Sequence, residues 1–336
     1  MKPVIRSGGT RVIASPLPNL PWQDRPAGSD AVIWRDDANP ILGRNPFAGA
    51  LAVYNSGVVP FEGGFAGVFR VDHGNALPFL HVGRSADGVR WTLDPEPIRF
   101  QQPDGSKRGL SYGYDPRVTP IEDGFVVAWC NDFNGPTIGL AKTRDFATFE
   151  QLENAFVPFN RNGVLFPRRV GGMYALLHRP SDSGHTPFGD IYLSHSPDLT
   201  FWGRHKLVMK ACGSGWWDSK KIGAGPVPIE TRDGWLLIYH GVLGTCNGFV
   251  YSIGAALLDL DEPWKVLARG GMSLLAPETG YETAGRVPNV CFPCAALVDG
   301  QTGRMALYYG AADTHTAIAY AHVDEIVDWI RAHNCV

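Results

Sequence analysis

The chain has 336 residues, of which 44% are hydrophobic and 19% are charged, a balance typical of a folded protein with one large domain or two ordinary ones. Its 40 glycines and 26 prolines favour many short strands joined by tight turns over long helices. A formal net charge of −3 gives no support for binding to nucleic acid, and no run approaches the roughly 20 apolar residues of a membrane-spanning helix.

Residues 1–44 lack a regular hydrophobic period and contain turn signals such as Asn39-Pro40. We interpret them as an N-terminal arm packed on the main body, with one helical turn near Ala31 to Arg35. The first residues lack an apolar core long enough for a signal peptide. The six cysteines form no spaced framework, and we interpret Cys291 and Cys294 as core residues. A reducing, cytoplasmic setting with no bound metal fits this pattern best.

From Asn45 onward the chain repeats one pattern: a β-prone run, a turn rich in Gly or Asp, and a second β-prone run. Two strands joined in this way form a β-hairpin. The pattern predicts five hairpins, with turns at residues 60–64, 122–124, 171–172, 232–234 and 299–303.

A second phrase recurs between the hairpins, a turn containing Ser, Thr or Asp followed by an aromatic residue. The aromatic residues, at intervals of roughly 60 residues, are Trp91, Phe149, Trp202 and Trp264. Self-similarity at a near-constant period, with about four short strands in each unit, is typical of a β-propeller. The sequence therefore predicts an all-β fold, a five-bladed β-propeller over residues 45–321.

The segment 322–336 is the one stretch with a convincing helical period. Val323, Ile326, Val327 and Ile330 recur at i, i+3, i+4 and i+7. The pattern predicts a C-terminal helix docked on the propeller. A contact in a homo-oligomer is the alternative, both for this helix and for the N-terminal arm.

Polar residues recur where the hairpin strands end, and in a propeller these ends meet at one mouth of the central channel. Asp115 lies at such an end, before Pro116, whose ring fixes its own φ, so its carboxylate is interpreted as a pre-positioned acid or base. A capping Asp before Pro is the alternative. The five repeats place these groups at the mouth: Asn55, Ser56 and Arg70; Tyr114, Asp115 and Asn131; Arg161 and Arg179; Lys221, Tyr239 and His240; Asn289 and Asp313.

This set contains two carboxylates and as many as five groups that can be cationic. Burying cations together without a partner costs several kcal/mol per ion, so the set predicts a bound anion. Two Arg side chains with a Lys and a His suit phosphate as the bound anion. The sequence contains no P-loop motif, so it gives no indication of a bound nucleotide. Structural alternatives exist for single residues. Arg179 could form an ion pair with Asp182, and His240 could be a core histidine.

Aromatic residues at the mouth suit a sugar ring, which is apolar on one face and rimmed by hydroxyl groups. These residues are Tyr112, Tyr114, Phe188, Tyr239, Tyr308 and Tyr309. The stretch 179–190 is rich in Gly, Pro and Ser. We expect it to form a loop over the mouth that carries Asp182 and His185 toward a second sugar.

Five motifs together resemble glycoside hydrolase family 130, and the resemblance covers residues 40–330. The motifs are Tyr114-Asp-Pro-Arg-Val-Thr, Asn160-Arg-Asn-Gly-Val-Leu-Phe-Pro, Arg179-Pro-Ser-Asp-Ser-Gly-His-Thr-Pro-Phe-Gly-Asp, Lys221-Ile-Gly-Ala-Gly-Pro and Tyr239-His-Gly-Val. Within the family, the chain is most similar to the 4-O-β-D-mannosyl-D-glucose phosphorylases. The resemblance implies a five-bladed propeller, in agreement with the number of repeats.

Carried over residue by residue, the resemblance makes Asp115 the general acid. It implies four phosphate-binding residues, Arg161, Arg179, Lys221 and His240. It implies positions around the mannose for Asn55, Ser56, Arg70 and Asp313. It implies positions near the acceptor glucose for Asp182, His185 and Thr186. Strand ends alone lead us to expect three more substrate-binding residues, Tyr114, Asn131 and Tyr239.

The implied reaction is reversible, inverting phosphorolysis of 4-O-β-D-mannopyranosyl-D-glucose to α-D-mannose 1-phosphate and D-glucose, without a cofactor. Inorganic phosphate and the mannosyl disaccharide are the expected partners. The resemblance suggests that Asp115 protonates the leaving oxygen through the mannose 3-hydroxyl, and Arg117 is expected on the same side of the strand as Asp115. The alternatives are a β-1,4-mannooligosaccharide phosphorylase, a phosphate-independent β-mannosidase and a non-catalytic sugar-binding propeller.

Overall fold

The strands form five sheets, and each sheet is one blade of a five-bladed β-propeller, which confirms the predicted all-β fold. The computed structural model describes residues 9–102, 104–132, 134–181, 189–213 and 215–336. Within these ranges no helix is long and apolar enough to cross a membrane.

The first two blades follow the predicted hairpins. Blade one consists, from the axis outward, of β2 (Ala50–Phe61), β3 (Gly64–His73), β4 (Pro78–Ser85) and β5 (Thr92–Leu93). Blade two consists, in the same direction, of β8 (Gly113–Ile121), β9 (Gly124–Asp132), β10 (Pro136–Thr143), β11 (Phe149–Gln151), β6 (Arg99–Gln101) and β7 (Lys107–Gly109). The pairing of β11 with β6 is parallel, so the connection from blade one adds two strands to the outside of blade two.

Blades three and four repeat the same antiparallel order. Blade three consists of β12 (Asn160–Leu165), β13 (Tyr174–Pro180), β14 (Ile191–Ser196) and β15 (Gly203–Met209). Blade four consists of β16 (Lys221–Ala224), β18 (Gly234–Thr245), β19 (Gly248–Leu258) and β20 (Val266–Arg269), with β17 (Ile229–Thr231) paired to β18.

Blade five joins the two ends of the chain. It consists of β21 (Cys291–Val298), β22 (Arg304–Ala311), β23 (His315–His322) and, outermost, β1 (Ile33–Arg35). The helical turn expected near residues 31–35 is therefore wrong, because this segment pairs with β23, placing Trp34 opposite Tyr320. The strand that closes the ring comes from the N-terminal segment, so residues 33–35 are part of the propeller.

Hydrophobic clusters fill the gaps between neighbouring blades. Strand side chains alternate between the two faces of each blade, and each face packs on the next blade round the ring. Each of five clusters contains buried residues of two neighbouring blades. Examples, in order round the ring, are Val68 and Val118, Val126 and Leu165, Val164 and Ile222, Leu236 and Leu307, and Tyr308 and Val53. Cys291 and Cys294 are buried, as expected for core residues.

The recurring phrase with an aromatic residue is a turn held by an aspartate. In each copy the Oδ1 atom accepts hydrogen bonds of 2.8–3.0 Å from backbone N–H groups two and three residues later. The four aspartates are Asp87, Asp145, Asp198 and Asp259. Such Asx turns are locally encoded, which explains why the period is visible in the sequence.

The described N-terminal residues and the C-terminal residues pack on blades four and five. The predicted terminal helix is α2 (Val323–Ala332), and its four periodic apolar residues are buried. A second, single-turn helix, α1 (Gly280–Thr283), precedes blade five. From the N-terminal segment, Arg11 forms ion pairs of 2.8 Å with Asp233 and Asp328, and Trp22 packs 5.3 Å from the Trp34 ring.

Candidate active site

Backbone irregularities mark three of the strands that line the axis. Asn55 in β2, Asp115 in β8 and Asn162 in β12 have left-handed backbone, with φ of 53°, 52° and 55°. The pairing register shifts beside each of them, so each lies in a β-bulge. Because a bulge re-aims side chains, these polar groups escape the alternation that would bury them between blades.

The carboxylate of Asp115 is held by two donors from blade one. Its Oδ1 accepts hydrogen bonds from Asn55 Nδ2 (2.7 Å) and Arg70 Nη1 (3.2 Å). The Arg70 guanidinium lies 4.3 Å from the Tyr54 ring and 5.3 Å from the Tyr114 ring. Burial alone would lower the pKa of Arg70, but the neighbouring Tyr54 and Asp115 raise it instead. Arg70 is therefore a fixed cation that orients Asp115.

Two further carboxylates surround Arg70. Asp72 accepts from Arg70 Nε at 2.9 Å and forms an ion pair of 3.0 Å with Arg286. Asp313 lies in the turn between β22 and β23, also with left-handed backbone (φ 47°). Burial raises the pKa of Asp313 to about 6, and Asp115 adds to the effect while Arg70 opposes it. Asn55, Arg70 and Asp313, which the resemblance places around the mannose, thus lie near Asp115.

On the other side, four side chains form the basic cluster, defined as Arg161, Arg179, Lys221 and His240. Arg161 of β12 lies directly opposite Arg179 of β13 in the strand pairing. Arg161 Nε donates a hydrogen bond to the Tyr114 hydroxyl (3.2 Å), and Arg179 Nη1 donates to His240 Nε2 (3.1 Å). Like charges directly opposite one another are destabilising, so this pairing indicates a purpose other than folding.

The basic cluster carries uncompensated positive charge. Across the described part of the chain, no carboxylate lies within ion-pair distance of Arg161, Arg179 or Lys221. Burial lowers the pKa of Arg179, and Arg161 adds to the effect. Burial, followed by Arg179 and Arg161, lowers the pKa of Lys221 to about 8. An anion placed among these groups would relieve the penalty that the pKa shifts record.

His240 is fixed as a neutral ring. Burial, Arg179 and Arg117 lower its pKa well below the usual value. Because Nε2 accepts from Arg179, the neutral ring carries its proton on Nδ1, which has no partner among the described residues. A Cβ added at Gly223 would lie 2.4 Å from His240 Cε1, so only glycine permits this close approach. The Phe292 ring lies 4.5 Å away.

Two aromatic residues beside Lys221 were missed in the sequence. Its Nζ lies 5.1 Å from the Phe249 ring and 5.4 Å from the Tyr251 ring, both within cation–π distance. Both rings come from β19, the third strand of blade four. The hairpin pattern identifies only the first two strands of each repeat, so it holds no signal for them.

The structure does not bring two of the predicted substrate-binding residues into this group. The Tyr239 hydroxyl donates to Asp218 Oδ2 and accepts from Arg269 Nε, both at 3.1 Å, in a buried cluster of blade four. Tyr239 precedes His240 on a regular strand, so the two side chains point to opposite faces. Asn131 Nδ2 donates to Asn154 Oδ1 (2.7 Å), and the Asn131 side chain has no hydrogen bond to Asp115, Asn55 or Arg70 among the described contacts.

Of the remaining predicted residues, some lie near the site, two lie elsewhere and four fall outside the described residues. Ser56 is buried beside Asn55, and its Oγ has no partner among the described residues; Tyr112 lies 5.4 Å from the Tyr114 ring. The Asn289 carbonyl accepts from Tyr251 N (2.9 Å). The placement of Tyr308 and Tyr309 at the mouth is wrong, because their hydroxyl groups bond to the Gly88 carbonyl (2.6 Å) and to Glu282 (2.8 Å) in the cores beside blade five. The residues Asp182, His185, Thr186 and Phe188 lie outside the described residues.

Arg117 departs from its expected position. Its Nη1 donates to the Asp115 carbonyl oxygen (3.2 Å), and the side chain turns away from the carboxylate. The rule that residues i and i+2 share a side holds for a regular strand, and the bulge at Asp115 breaks it. Asn162 was also missed, although it follows Arg161 in the motif; its Oδ1 is buried without a partner in the described ranges.

Comparison with known proteins identifies the family to which the chain belongs. The family model of glycoside hydrolase family 130, described as β-1,4-mannooligosaccharide phosphorylase, matches residues 16–332. The chain belongs to this family, as the motifs indicated.

Individual relatives show which enzymes of the family the chain is similar to. The chain is 55% identical to a β-1,4-mannooligosaccharide phosphorylase of Ruminococcus albus, over 95% of this chain and 97% of that protein. It is 30% identical to a 4-O-β-D-mannosyl-D-glucose phosphorylase of Bacteroides fragilis, over 90% and 82%. Among solved structures, the β-1,2-mannobiose phosphorylase of Listeria innocua, bound to β-1,2-mannobiose, superposes with a TM-score of 0.77 at 28% identity, covering 89% and 99%. These relatives support an enzyme with mannoside phosphorylase activity.

Proposed function

We propose that the protein catalyses reversible phosphorolysis of β-1,4-mannooligosaccharides by inorganic phosphate, releasing α-D-mannose 1-phosphate and a shortened acceptor. One observation carries this proposal: three buried or half-buried cations without a carboxylate partner in the described chain lie across the site from a carboxylate that is oriented by donors. Such a cluster is costly unless an anion occupies it.

The nature of the nucleophile separates phosphorolysis from hydrolysis. An inverting hydrolase uses a second carboxylate, roughly 6.5–9.5 Å from its acid, to activate water. Phosphate is already a nucleophile and needs cations instead. Arg161 donates a hydrogen bond to the Tyr114 hydroxyl, and Arg179 and Lys221 lie on the same side of the site as Arg161. This arrangement supports a phosphate-dependent reaction over a phosphate-independent mannosidase.

In the proposed mechanism a phosphate oxygen, held by the basic cluster, attacks the anomeric carbon of the terminal mannose. The bond from that carbon to the acceptor oxygen breaks, and its electrons remain on the acceptor oxygen. Asp115, which enters this step as the carboxylic acid, supplies the proton that this oxygen gains, either directly or through the mannose 3-hydroxyl, and is left as the carboxylate. Attack from the face opposite the acceptor inverts the configuration from β to α in a single displacement.

The acceptor assignment differs from the first expectation. The resemblance favoured mannosylglucose, but the chain is 55% identical to a mannooligosaccharide phosphorylase and 30% identical to a mannosylglucose phosphorylase. This difference favours the mannooligosaccharide alternative. The acceptor residues expected at Asp182, His185 and Thr186 stay a prediction, as do a homo-oligomer, a cytoplasmic setting and, apart from residues 33–35, the division into arm, propeller and terminal helix.

A product assay tests the proposal. β-1,4-Mannobiose and mannosylglucose are each incubated with and without phosphate, and mannose 1-phosphate and free mannose are quantified. Phosphate-dependent formation of mannose 1-phosphate, faster from mannobiose, is expected. Equal release of free mannose without phosphate would replace the proposal with a hydrolase, and faster reaction of mannosylglucose would reverse the acceptor assignment.

The Asp115→Asn variant tests the acid. Asparagine keeps the side-chain size but has no proton of suitable acidity to give, so we expect turnover to fall by at least about 10²-fold while mannobiose still binds. Turnover is followed by release of mannose 1-phosphate and binding by calorimetry. Near-normal phosphorolysis by this variant would remove Asp115 from the acid role.

A further inference from the structure

Arg117 is a buried cation that the proposed mechanism does not use. Its side chain is 1% exposed, which makes it one of the largest fully buried side chains of the protein. In the ranges that the structure describes, no carboxylate lies within ion-pair distance of it. A charge kept in this position without a counter-ion indicates a specific task for the guanidinium.

The guanidinium is satisfied by backbone carbonyl oxygens from three separate parts of the ring. Nε donates to the Gly225 carbonyl (2.6 Å), just after β16. Nη1 donates to the carbonyls of Asp115 (3.2 Å) and Pro116 (3.1 Å) in β8. Nη2 donates to the Pro293 carbonyl (3.3 Å) in β21. One planar side chain therefore ties together the inner strands of blades two and five and the segment that follows the inner strand of blade four.

Two of these four carbonyl groups, those of Asp115 and Pro116, belong to the bulge that carries the acid. Asp115 has left-handed backbone, which a non-glycine residue adopts only when its surroundings hold it there. Fixing the Asp115 carbonyl fixes the peptide plane after the residue, and with it the direction of the Cα–Cβ bond. The carboxylate end is held separately by Asn55 and Arg70.

The same guanidinium also contacts residues next to the basic cluster, where phosphate is proposed to bind. Gly225 follows the strand β16 that begins with Lys221, and the ring of Phe292 lies 5.4 Å from the Arg117 guanidinium and 4.5 Å from the His240 ring. Arg117 thus contacts the backbone of Asp115 and, on the other side, residues next to Lys221 and His240, but it touches neither reacting group. This position suits a residue that sets the distance between the acid and the nucleophile.

We propose that Arg117 is a positioning residue, whose planar guanidinium fixes the Asp115 bulge to the inner strand of blade five and to the segment after the inner strand of blade four, and so holds the acid in reach of the leaving oxygen. The proposal rests on the proposed function of Asp115. Lysine has the charge but a single tetrahedral nitrogen, so it is unable to span carbonyl groups from three separate parts of the ring in one plane. Both charge and shape are therefore required.

The test compares Arg117→Lys and Arg117→Met with the wild-type protein, using β-1,4-mannobiose and 2,4-dinitrophenyl β-D-mannoside, each with phosphate. The dinitrophenolate leaves without protonation, so its release bypasses a misplaced acid. For both variants we expect kcat on mannobiose to fall by about 10²-fold, since a displacement of about 1 Å has this effect. We expect kcat on the aryl mannoside to fall less than about tenfold, and the KM for phosphate to change less than about threefold.

Arg269→Lys is the matched control, because Arg269 is similarly buried but pairs with Asp218 in the core of blade four. It is expected to lower thermal stability without changing the ratio of the two kcat values. Equal losses on both substrates in the Arg117 variants, retained mannobiose turnover, or failure of both variants to fold would overturn the positioning role. Absence of phosphate-dependent turnover in the wild-type protein would instead overturn the proposed function itself.

Discussion

Proton uptake at Lys221 offers a direct measurement of anion binding in the basic cluster. Burial, Arg179 and Arg161 lower the Lys221 pKa to about 8, so about half of these side chains are neutral at pH 8 in the free protein. A bound dianion favours the charged form and should return the pKa to at least its ordinary value near 10.5. Binding at pH 8 should therefore take up about 0.5 proton at this residue.

The same shift sets the pH dependence of affinity. The difference of about 2.5 pKa units corresponds to about 3 kcal/mol, the most that deprotonation of Lys221 can remove from binding. The sign follows from the lowered pKa: Lys221 is charged below about pH 8, and its attraction for the anion is lost as the pH rises above this value. The dissociation constant should rise up to tenfold per pH unit above pH 8.

Calorimetry in buffers of different ionisation enthalpy measures this uptake. Sulfate is the probe, since it is a tetrahedral dianion that does not itself titrate near neutral pH. Lys221→Arg should abolish the uptake, because arginine stays charged at pH 8. Lys220→Arg, at the exposed neighbouring position, should leave it unchanged. No uptake in the wild-type protein, or the same uptake in Lys221→Arg, would refute the reasoning.

Three further variants test other parts of the site. Arg179→Met removes a buried cation that has no carboxylate partner in the described chain, so we expect the phosphate-free protein to gain about 1–3 kcal/mol in free energy of unfolding and to lose phosphate-induced thermal stabilisation. Gly223→Ala places a Cβ against His240, so it should cost about 1–3 kcal/mol and raise the KM for phosphate. Asp313→Asn tests the raised carboxyl pKa: the stability from this group is full below about pH 4 and is lost as the pH rises through 6, by up to about 3 kcal/mol.

Each of these variants has a discriminating outcome. For Arg179→Met, denaturant unfolding that shows a loss of stability without phosphate would assign the arginine to folding. For Gly223→Ala, the control is Gly244→Ala on β18, where an added Cβ meets nothing within 4 Å. If both alanine variants behave alike, close approach to His240 is not the cause. For Asp313→Asn, the stability difference from wild type should change between pH 4 and pH 7, and a constant difference contradicts the raised pKa.

Much of the fold is encoded locally, and the sequence therefore predicts it well. The hairpins are marked by their turns, as between β2 and β3, where Glu62 and Gly63 adopt left-handed backbone (φ 49° and 78°). The Asx turns repeat with the blades, and the helical period predicts α2, which begins one residue after the start of the predicted segment 322–336 and ends at Ala332. The segment 31–35 was mispredicted because its structure depends on pairing with β23, almost 290 residues away in the chain.

The candidate site was predictable to the extent that its residues occupy equivalent places in the repeats. Asp115, Arg161, Arg179, Lys221 and His240 were found in this way, and hydrogen bonds and strand pairing link most of them in space. Tyr239 was misplaced by treating two neighbours on one strand as if both faced the channel. Phe249 and Tyr251 were missed because they come from a third strand, for which the hairpin pattern gives no information.

The sequence by itself determined the number of blades, the turns between their strands and the identity of the charged groups, since each depends on residues close together in the chain. Only the tertiary structure decided where those groups point. The bulges at Asn55, Asp115 and Asn162 break the strand alternation, and Arg117 consequently turns from the carboxylate to carbonyl groups on other blades. Contacts of this kind join inner strands far apart in sequence, so no local pattern specifies them.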